Sequence, residues 1–388
     1  MMKIIADENI PAVAEAFGTL GEVTLLPGRG LRAGDVRAAD VLLVRSVTRV
    51  DRELLEGSRV RFIGSATIGF DHIDRDYLKS RAIGFATAPG GNATSAAEYV
   101  VSALLTLGER VGFTLAGRTV GIVGCGNVGS RVRDRLAALG CQCLINDPPL
   151  RERTGHGVFV GLDTVLQADI ISLHVPLEQA GQHPTWHLFD AALLRQLKPG
   201  AVLINTSRGA VVDNAALEAL LTTRPDLSVV LDVWEGEPSI SMALLEKVAL
   251  GTAHIAGYSL DGKLRGTEMI YRAACDHFGY TPRWNAADVL PAAESLDLRG
   301  GTGADAIERL REAVFRVYDV RADDARLRGL LMLTPEEQPA AFDRLRKDYP
   351  QRREFAVTTA VVDGTDGALE NLLRGIGFNV LDDSAPDT

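Results

Sequence analysis

The stretch TVGIVGCGNVGSRVRDRLAALG, from Thr119 to Gly140, limits what this chain can fold into more than any other segment. An apolar run leads into Gly124, Gly126 and Gly129, spaced G-x-G-x-x-G, and an apolar-periodic helix follows. The first glycine permits a tight turn, the second lets the backbone approach a pyrophosphate, and the third lets the helix lie close on the strand. Asn127 and Val128 open the helix, whose free N–H groups and partial positive charge suit phosphate. A second apolar run, CQCLIND, ends at Asp147, 23 residues after Gly124, near the ~20 expected of a ribose-gripping acid. A carboxylate there accepts hydrogen bonds from both ribose hydroxyls and repels a 2′-phosphate. The motif therefore predicts NAD over NADP, a preference that nearby Arg151 and Arg153 temper.

Around this turn, short apolar runs alternate with helical stretches, which indicates an α/β architecture. KIIAD, EVTLL, DVLLVRS, RFIGSAT and IGFATAP read as strands of a first region. RTVGIVG, CQCLIND, ADIISLHV, AVLINTS, LSVVLDV and TAHIAG read as strands of a second. Their near-continuous Val, Ile and Leu content means burial on both faces, hence parallel sheets. The 388 residues suffice for two or three domains. The expected fold has two doubly wound parallel-sheet domains and a small C-terminal α/β domain. The first is a substrate domain (1–95 and 258–285), the second a Rossmann-type NAD domain (96–257), and the third spans 286–388. Ser95-Ala-Ala-Glu98 reads as a capping box opening a long linker helix. TPRWNAADVLPAAESLDLRGGTG reads as a linker and DDSAPDT as a frayed tail.

Charge and cysteine content narrow the function. With 41 basic and 51 acidic residues the net charge is −10, which disfavours nucleic acid and anionic membranes as partners. Cys125, Cys141, Cys143 and Cys275 form no C-x-x-C pair and are too few for a disulfide framework. The opening MMKIIADENIP carries acids where a secretory leader needs an apolar core, and no apolar run approaches a membrane span. A cytoplasmic protein is expected. The histidines show no metal spacing, so no metal is expected.

Three polar residues then fall just past predicted strand ends: Arg208 after AVLINTS, Glu237 after LSVVLDVWEG, and His254 within TAHIAG. Ligands of open parallel sheets bind beyond those ends. Oxidising an alcohol needs a hydride acceptor and a base; imidazole suits the base because its pKa lies near working pH. A carboxylate orients the ring, and a guanidinium binds a substrate carboxylate at two points. Singly, each has a plain alternative: a satisfied histidine, an arginine pairing with Asp213, a solvated glutamate beside Glu235.

At these residues the chain resembles the D-isomer-specific 2-hydroxyacid dehydrogenases. ADENIP, RSVTRV, GSATIGFDHID, APGGNATSAAEYV, VWEGEP, HIAGYSLDGKLRGT and YPQRREF narrow the resemblance. They are similar to the branch that oxidises 4-phospho-D-erythronate at C2 with NAD in the synthesis of pyridoxal 5′-phosphate. The resemblance spans nearly the whole chain. It implies that His254 is the proton donor and acceptor, Glu237 its partner and Arg208 the substrate-binding catalytic arginine. Ser46, Thr67 and Tyr258 match substrate contacts. Asp147, Val175, Thr206, Ser207, Arg208, Asp232 and Gly257 match cofactor contacts, with Val175 standing where many relatives carry Thr. It further implies a homodimer formed through the C-terminal domain. Such a substrate carries two anionic groups. Arg208 and the Gly64–Gly69 loop suit the carboxylate; Arg45 and Ser46 suit the phosphate, with Lys263 or Arg265 in reserve. Arg344, Arg346, Lys347, Arg352 and Arg353 form a further basic cluster, either reaching the phosphate of a neighbouring subunit or forming a solvated helix face. Two alternatives stay open: another D-2-hydroxyacid dehydrogenase, such as one acting on 3-phosphoglycerate, and a non-enzymatic NADH sensor.

Overall fold

In the computed structural model, which describes residues 1–155, 157–300 and 305–382, the first apolar runs form one five-stranded parallel sheet. Its strands are β1 (Met2–Asp7), β2 (Gly21–Leu26), β3 (Val41–Val44), β4 (Phe62–Ser65) and β5 (Gly84–Ala86), in the order β2-β1-β3-β4-β5. β3 and β4 are buried at every position, as their unbroken apolar runs require. The returning helix Leu260–Phe278 belongs to the same unit. Its Tyr271 is fully buried, edge-on to Phe17 at 5.6 Å and to Trp284 at 6.0 Å. This unit comprises Met1–Asn92 and Ser259–Ala292.

The second unit, Ala93–Tyr258 with Ala293–Thr388, holds two further sheets. The larger has β6 (Thr119–Val123), β7 (Gln142–Asn146), β8 (Ile170–Leu173), β9 (Val202–Asn205), β10 (Ser228–Leu231) and β11 (Leu250–Gly251), in the order β11-β10-β9-β8-β6-β7. Every pairing is parallel. The register sets Val123 level with Leu173, Leu173 with Asn205, and Asn205 with Leu231. Gly124, His174, Thr206 and Asp232 therefore leave the sheet in one row. The chain runs from β6 outward to β7 and then returns to β8 on the other side, so this row flanks the topological switch point where such sheets bind ligands.

The smaller sheet contains β12 (Glu294–Asp297), β13 (Thr358–Val362) and β14 (Asn379–Asp382), all parallel. It is not separate from the larger one. Leu310, Val314, Phe355, Ala360, Leu373 and Ile376 share a core with Val120, Ile122, Val132 and Leu136. A Cβ on Gly375 would meet the Ala138 Cβ at 2.5 Å, so the helix Gly367–Ile376 needs that glycine to sit on the helix Asn127–Ala138.

Three expectations change. β12 lies inside the stretch read as a linker; its residues are mostly exposed, so no apolar alternation marked it. TAHIAG is no strand: the strand ends at Gly251, and Thr252–Gly257 form a loop. Ser95 and Glu98 are no capping box, because the helix starts earlier, at Ala93, and both side chains turn inward. The end of the linker stretch and the tail after Asp382 lie outside the described residues.

Glu98 accepts the Phe355 N–H at 2.8 Å and lies 3.7 Å from Arg352, tying the C-terminal region to the helix Ala93–Val111. Burial pushes its carboxyl from an ordinary 4.5 up to about 8, against the pull of Arg352. The folded chain thus keeps a proton that the unfolded chain releases, and stability falls as pH rises from about 4.5 to 8. Glu98→Gln keeps the acceptor for Phe355 and removes the titration. Its melting temperature should gain on the parent's progressively across that window. A constant difference between the two curves would show that Glu98 is ionised throughout.

Candidate active site

The glycine turn is built as a dinucleotide cradle. Gly124 has φ +85°, and a Cβ there would lie 2.8 Å from the His174 carbonyl oxygen and from Val175 Cγ1. A Cβ on Gly129 would lie 1.9 Å from the Gly124 carbonyl oxygen. Only glycine lets the helix Asn127–Ala138 approach β6 this closely. A Cβ on Gly126 meets nothing within 4 Å. That open space lies at the N-cap of the helix, where a pyrophosphate needs access to backbone N–H groups. Asp147 Oδ2 accepts the Cys125 N–H at 2.8 Å, and Oδ1 accepts the Leu150 N–H at 2.9 Å. The carboxylate is thereby held beside the turn, and each oxygen keeps a second lone pair for a ribose hydroxyl.

Val175 faces this turn, and Thr206 adjoins it through His174. The His174 ring lies between Ser172 Oγ at 2.9 Å and Thr206 Oγ1 at 3.3 Å. Burial pushes its pKa down to about 3, so His174 is a neutral strut that carries no proton in the chemistry.

Asn205, the last residue of β9, shapes the arginine turn. Its Oδ1 accepts the Ser207 N–H at 3.0 Å and hydroxyl at 2.7 Å, and its Nδ2 donates to the Arg208 carbonyl at 2.9 Å. Arg208 Nη1 donates to the Ser207 carbonyl at 2.7 Å. A Cβ on Gly209 would lie 2.0 Å from the Trp234 carbonyl carbon, so this turn packs directly on the backbone that leads to Glu237.

Glu237 Oε1 accepts the Trp234 N–H at 2.9 Å, and Oε2 lies 2.8 Å from His254 Nδ1. Burial alone would raise the Glu237 carboxyl. His254, the Trp234 N–H and the Arg346 guanidinium outweigh it and hold the group below its ordinary range. His254 sits at φ +57°, a left-handed conformation uncommon outside glycine. Asp232 maintains it. The Asp232 carbonyl accepts the His254 N–H at 2.7 Å. Its carboxylate, 1% exposed, accepts from the Thr252 hydroxyl at 2.6 Å and from the N–H groups of Ile255 and Ala256 at 2.8 and 3.0 Å. Arg208, Glu237 and His254 line one cavity of about 240 Å³.

The other expected positions are placed as follows. Ser207 is buried beneath the arginine turn, while Gly257 and Tyr258 close the loop after His254. In the first unit, Ser46 is exposed beyond β3, and Thr67 Oγ1 lies 2.9 Å from Ser65 Oγ. Arg45 Nε pairs with the buried Asp7 at 3.0 Å. Asn205, Gly209 and the loop-holding part played by Asp232 were missed; the first two signals were an Asn at a strand end and a Gly directly after Arg208. Sequence spacing also gave no hint that His187, Asp213 and Glu235 come together with ligand atoms within 4.8 Å of one another. Their polar atoms have protein partners: His187 Nε2 lies 2.7 Å from Glu235, which also accepts the Asn214 N–H, and Asp213 caps the following helix. Among the described residues no helix is long and apolar enough to cross a membrane.

The chain is similar to known proteins over nearly its whole length. Residues 94–256 match the family model for the NAD binding domain of D-isomer specific 2-hydroxyacid dehydrogenases, and residues 289–377 match a domain of unknown function. An erythronate-4-phosphate dehydrogenase of Salinibacter ruber is 53% identical over 373 residues, covering 94% of each chain. One from Pseudomonas putida is 48% identical, covering 97% of this chain and 99% of its own. NAD+-bound 3-phosphoglycerate dehydrogenase of Entamoeba histolytica shares the fold, with a TM-score of 0.63 over 72% of this chain and 95% of its own at 24% identity. D-lactate dehydrogenase of Aquifex aeolicus, solved with NAD and lactic acid, has a TM-score of 0.58 at 26% identity, covering 71% of this chain and 96% of its own. With full-length identity at this level, the chain belongs to the erythronate-4-phosphate dehydrogenase family of D-isomer specific 2-hydroxyacid dehydrogenases.

Proposed function

We propose that this chain oxidises 4-phospho-D-erythronate at C2 with NAD, giving 3-hydroxy-2-oxo-4-phosphooxybutanoate and NADH on the route to pyridoxal 5′-phosphate. The observation that carries the reading is the shared cavity of Arg208, Glu237 and His254 at the carboxyl edge of a sheet with a dinucleotide turn. The likeness to full-length relatives of that name supports the substrate.

When bound, NAD would supply the hydride acceptor for C2. Gly124, Gly126, Asn127, Val128 and Gly129 would hold its pyrophosphate, and Asp147 its ribose. Val175, Thr206, Ser207, Asp232 and Gly257 are assigned to it by family likeness. The chain's own part is proton movement and charge placement. Glu237 is held ionised and can only accept, so the hydrogen between it and His254 resides on Nδ1. His254 Nε2 then carries the lone pair that takes the C2 hydroxyl proton, and Glu237 stabilises the imidazolium that results. Arg208 binds the substrate carboxylate at two points and polarises the developing carbonyl. Ser46, Thr67 and Tyr258 remain candidates for substrate contact by the same likeness. We assign the C-terminal region the part of an association module in a homodimer, again by likeness, and place the reaction in the cytoplasm.

The deciding experiment is NADH appearance with 4-phosphoerythronate, unphosphorylated erythronate and 3-phosphoglycerate under matched conditions. Highest kcat/KM on the first supports the reading. Preference for the third makes the protein a different 2-hydroxyacid dehydrogenase, and NADH binding with no turnover on any makes it a sensor. Asp147→Ala should weaken NAD by roughly 100-fold or more, since each of the two hydrogen bonds to a charged acceptor contributes about 1.5–3 kcal/mol, and relax discrimination against NADP. An unchanged NAD to NADP ratio would remove Asp147 from the ribose.

A further inference from the structure

A substrate with a carboxylate at C1 and a phosphate on C4 needs two cationic grips, and the cavity supplies only Arg208. The other basic candidates are mostly committed elsewhere. Arg45 is paired with Asp7, and Arg265 Nε donates to the Gly91 carbonyl. Arg352 is spent on the carbonyls of Ala256 and Ser95 and on Glu98, and Arg353 is buried. Arg344 and Lys347 are exposed.

Arg346 is different. It lies near the end of the helix Gln338–Lys347, and its guanidinium carbon is 5.7 Å from the centroid of the Tyr258 ring. Tyr258 is four residues after His254, at the end of the loop that carries the base, and its N–H donates to the Ile255 carbonyl at 2.8 Å. The Tyr258 ring also packs against Tyr349, edge-on at 5.7 Å, whose hydroxyl donates to Asp323 at 2.8 Å. The Nε of Arg346 is buried with no hydrogen-bond partner, and among the described residues no carboxylate lies within 4 Å of its guanidinium. Contrast Arg328 on the neighbouring helix, which pairs with Asp324 and donates to two carbonyls. A desolvated guanidinium without a counter-ion is costly to keep, and its planar fork matches the oxygens of a phosphate. Against the effect of burial, Tyr258, through a side-chain hydrogen bond as well as its proximity, and the negative charges of Glu237 and Asp232 keep the cation charged.

We propose that Arg346 grips the C4 phosphate of the substrate bound in its own chain, so that the C-terminal region sets the specificity of the site. The inference rests on the substrate reading given above. Four bonds separate C2 from phosphorus; with C2 at His254, the proposed pose carries the phosphate along the loop toward Tyr258.

Arg346→Met and Arg346→Lys test it. For Arg346→Met, KM for 4-phosphoerythronate should rise roughly 30–150-fold, the loss of a charged, two-point contact. KM for NAD should stay within about threefold of the parent, and kcat/KM for unphosphorylated erythronate should fall far less than kcat/KM for 4-phosphoerythronate. Arg346→Lys should recover part of the loss. A merely structural arginine would instead depress both substrates alike, and that equal loss, or no loss, overturns the proposal. Calorimetric binding of 4-phosphoerythronate to the NADH-loaded protein reads the same grip without turnover. A parent that binds but does not oxidise the ligand would therefore sink the dehydrogenase reading while still deciding the place of Arg346.

Discussion

His254→Ala should lower kcat by about 10³-fold or more, within the range a positioned general base contributes, while the Kd for NADH stays within a factor of about two. The split follows from the geometry. His254 touches Glu237 and the cavity, whereas the dinucleotide turn is assembled from Gly124, Gly129, Asp147 and Val175 without it. The loop need not collapse, because Asp232 holds Ile255 and Ala256 through their own N–H groups. Alanine also tolerates the left-handed site no better than histidine does, so a modest loss of stability accompanies the change. Glu237→Gln probes the same unit from the other side. A glutamine amide can donate to Nδ1, which moves the ring hydrogen to Nε2 and removes the lone pair that must accept the proton. We expect a fall in kcat of about 10²–10⁴-fold with substrate KM little altered. The Glu237 carboxyl lies below its ordinary 4.5 in the folded chain. Its contribution to stability is therefore present above that pH and is lost as acid drives it through the folded value; the glutamine variant should lack this acid dependence. Rates within tenfold of the parent for His254→Ala would show that another group takes the proton.

How much of this was legible beforehand depends on which interactions are local. The strands of both large sheets were readable because a parallel, doubly covered strand must be apolar at every position, and LLV or GIV cannot be mistaken for a surface. The glycine turn was readable because each glycine answers a steric demand made by a residue a few positions away: Gly129 against the Gly124 carbonyl is a contact within one motif. The trio was readable from order alone, since Arg208, Glu237 and His254 follow successive strands whose register the sheet aligns. What failed was non-local. Ser95 and Glu98 have the spacing of a cap, yet Glu98 is claimed by Phe355, 257 residues away. β12 has no apolar pattern because it lies at a sheet edge and borrows its register from β13. Asp232 reads as a cofactor contact by likeness, and nothing local to it foretells the further part its carboxylate plays in holding the turn that aims His254. Arg352 and Arg353 follow a basic helix and suggest a solvated face, but both are buried against the second unit's own core.

The glycine turn yields a paired prediction in which stability and cofactor affinity separate. In Gly129→Ala the new Cβ would lie 1.9 Å from the Gly124 carbonyl oxygen and 3.2 Å from Ile122 Cγ2. The first is a backbone atom at the base of the turn and cannot swing aside. The helix Asn127–Ala138 must shift off β6, which costs on the order of 3 kcal/mol as overpacking against rigid neighbours. The same shift withdraws the helix N-terminus, so NADH affinity falls with the melting temperature. Gly126→Ala adds the same methyl group three residues earlier: its Cβ meets nothing within 4 Å, and its φ is −76°. Folding should barely notice, with a melting temperature within about 2 °C of the parent, since surface substitutions of this kind stay within ~0.5 kcal/mol. NADH binding, however, should weaken at least about tenfold, because the methyl occupies the approach that the pyrophosphate needs. Measured side by side, the first variant loses both properties and the second only one. If Gly126→Ala bound NADH as tightly as the parent, the phosphates would have to lie elsewhere than on this backbone. If Gly129→Ala melted with the parent, the helix and strand would be joined more loosely than a 1.9 Å approach allows.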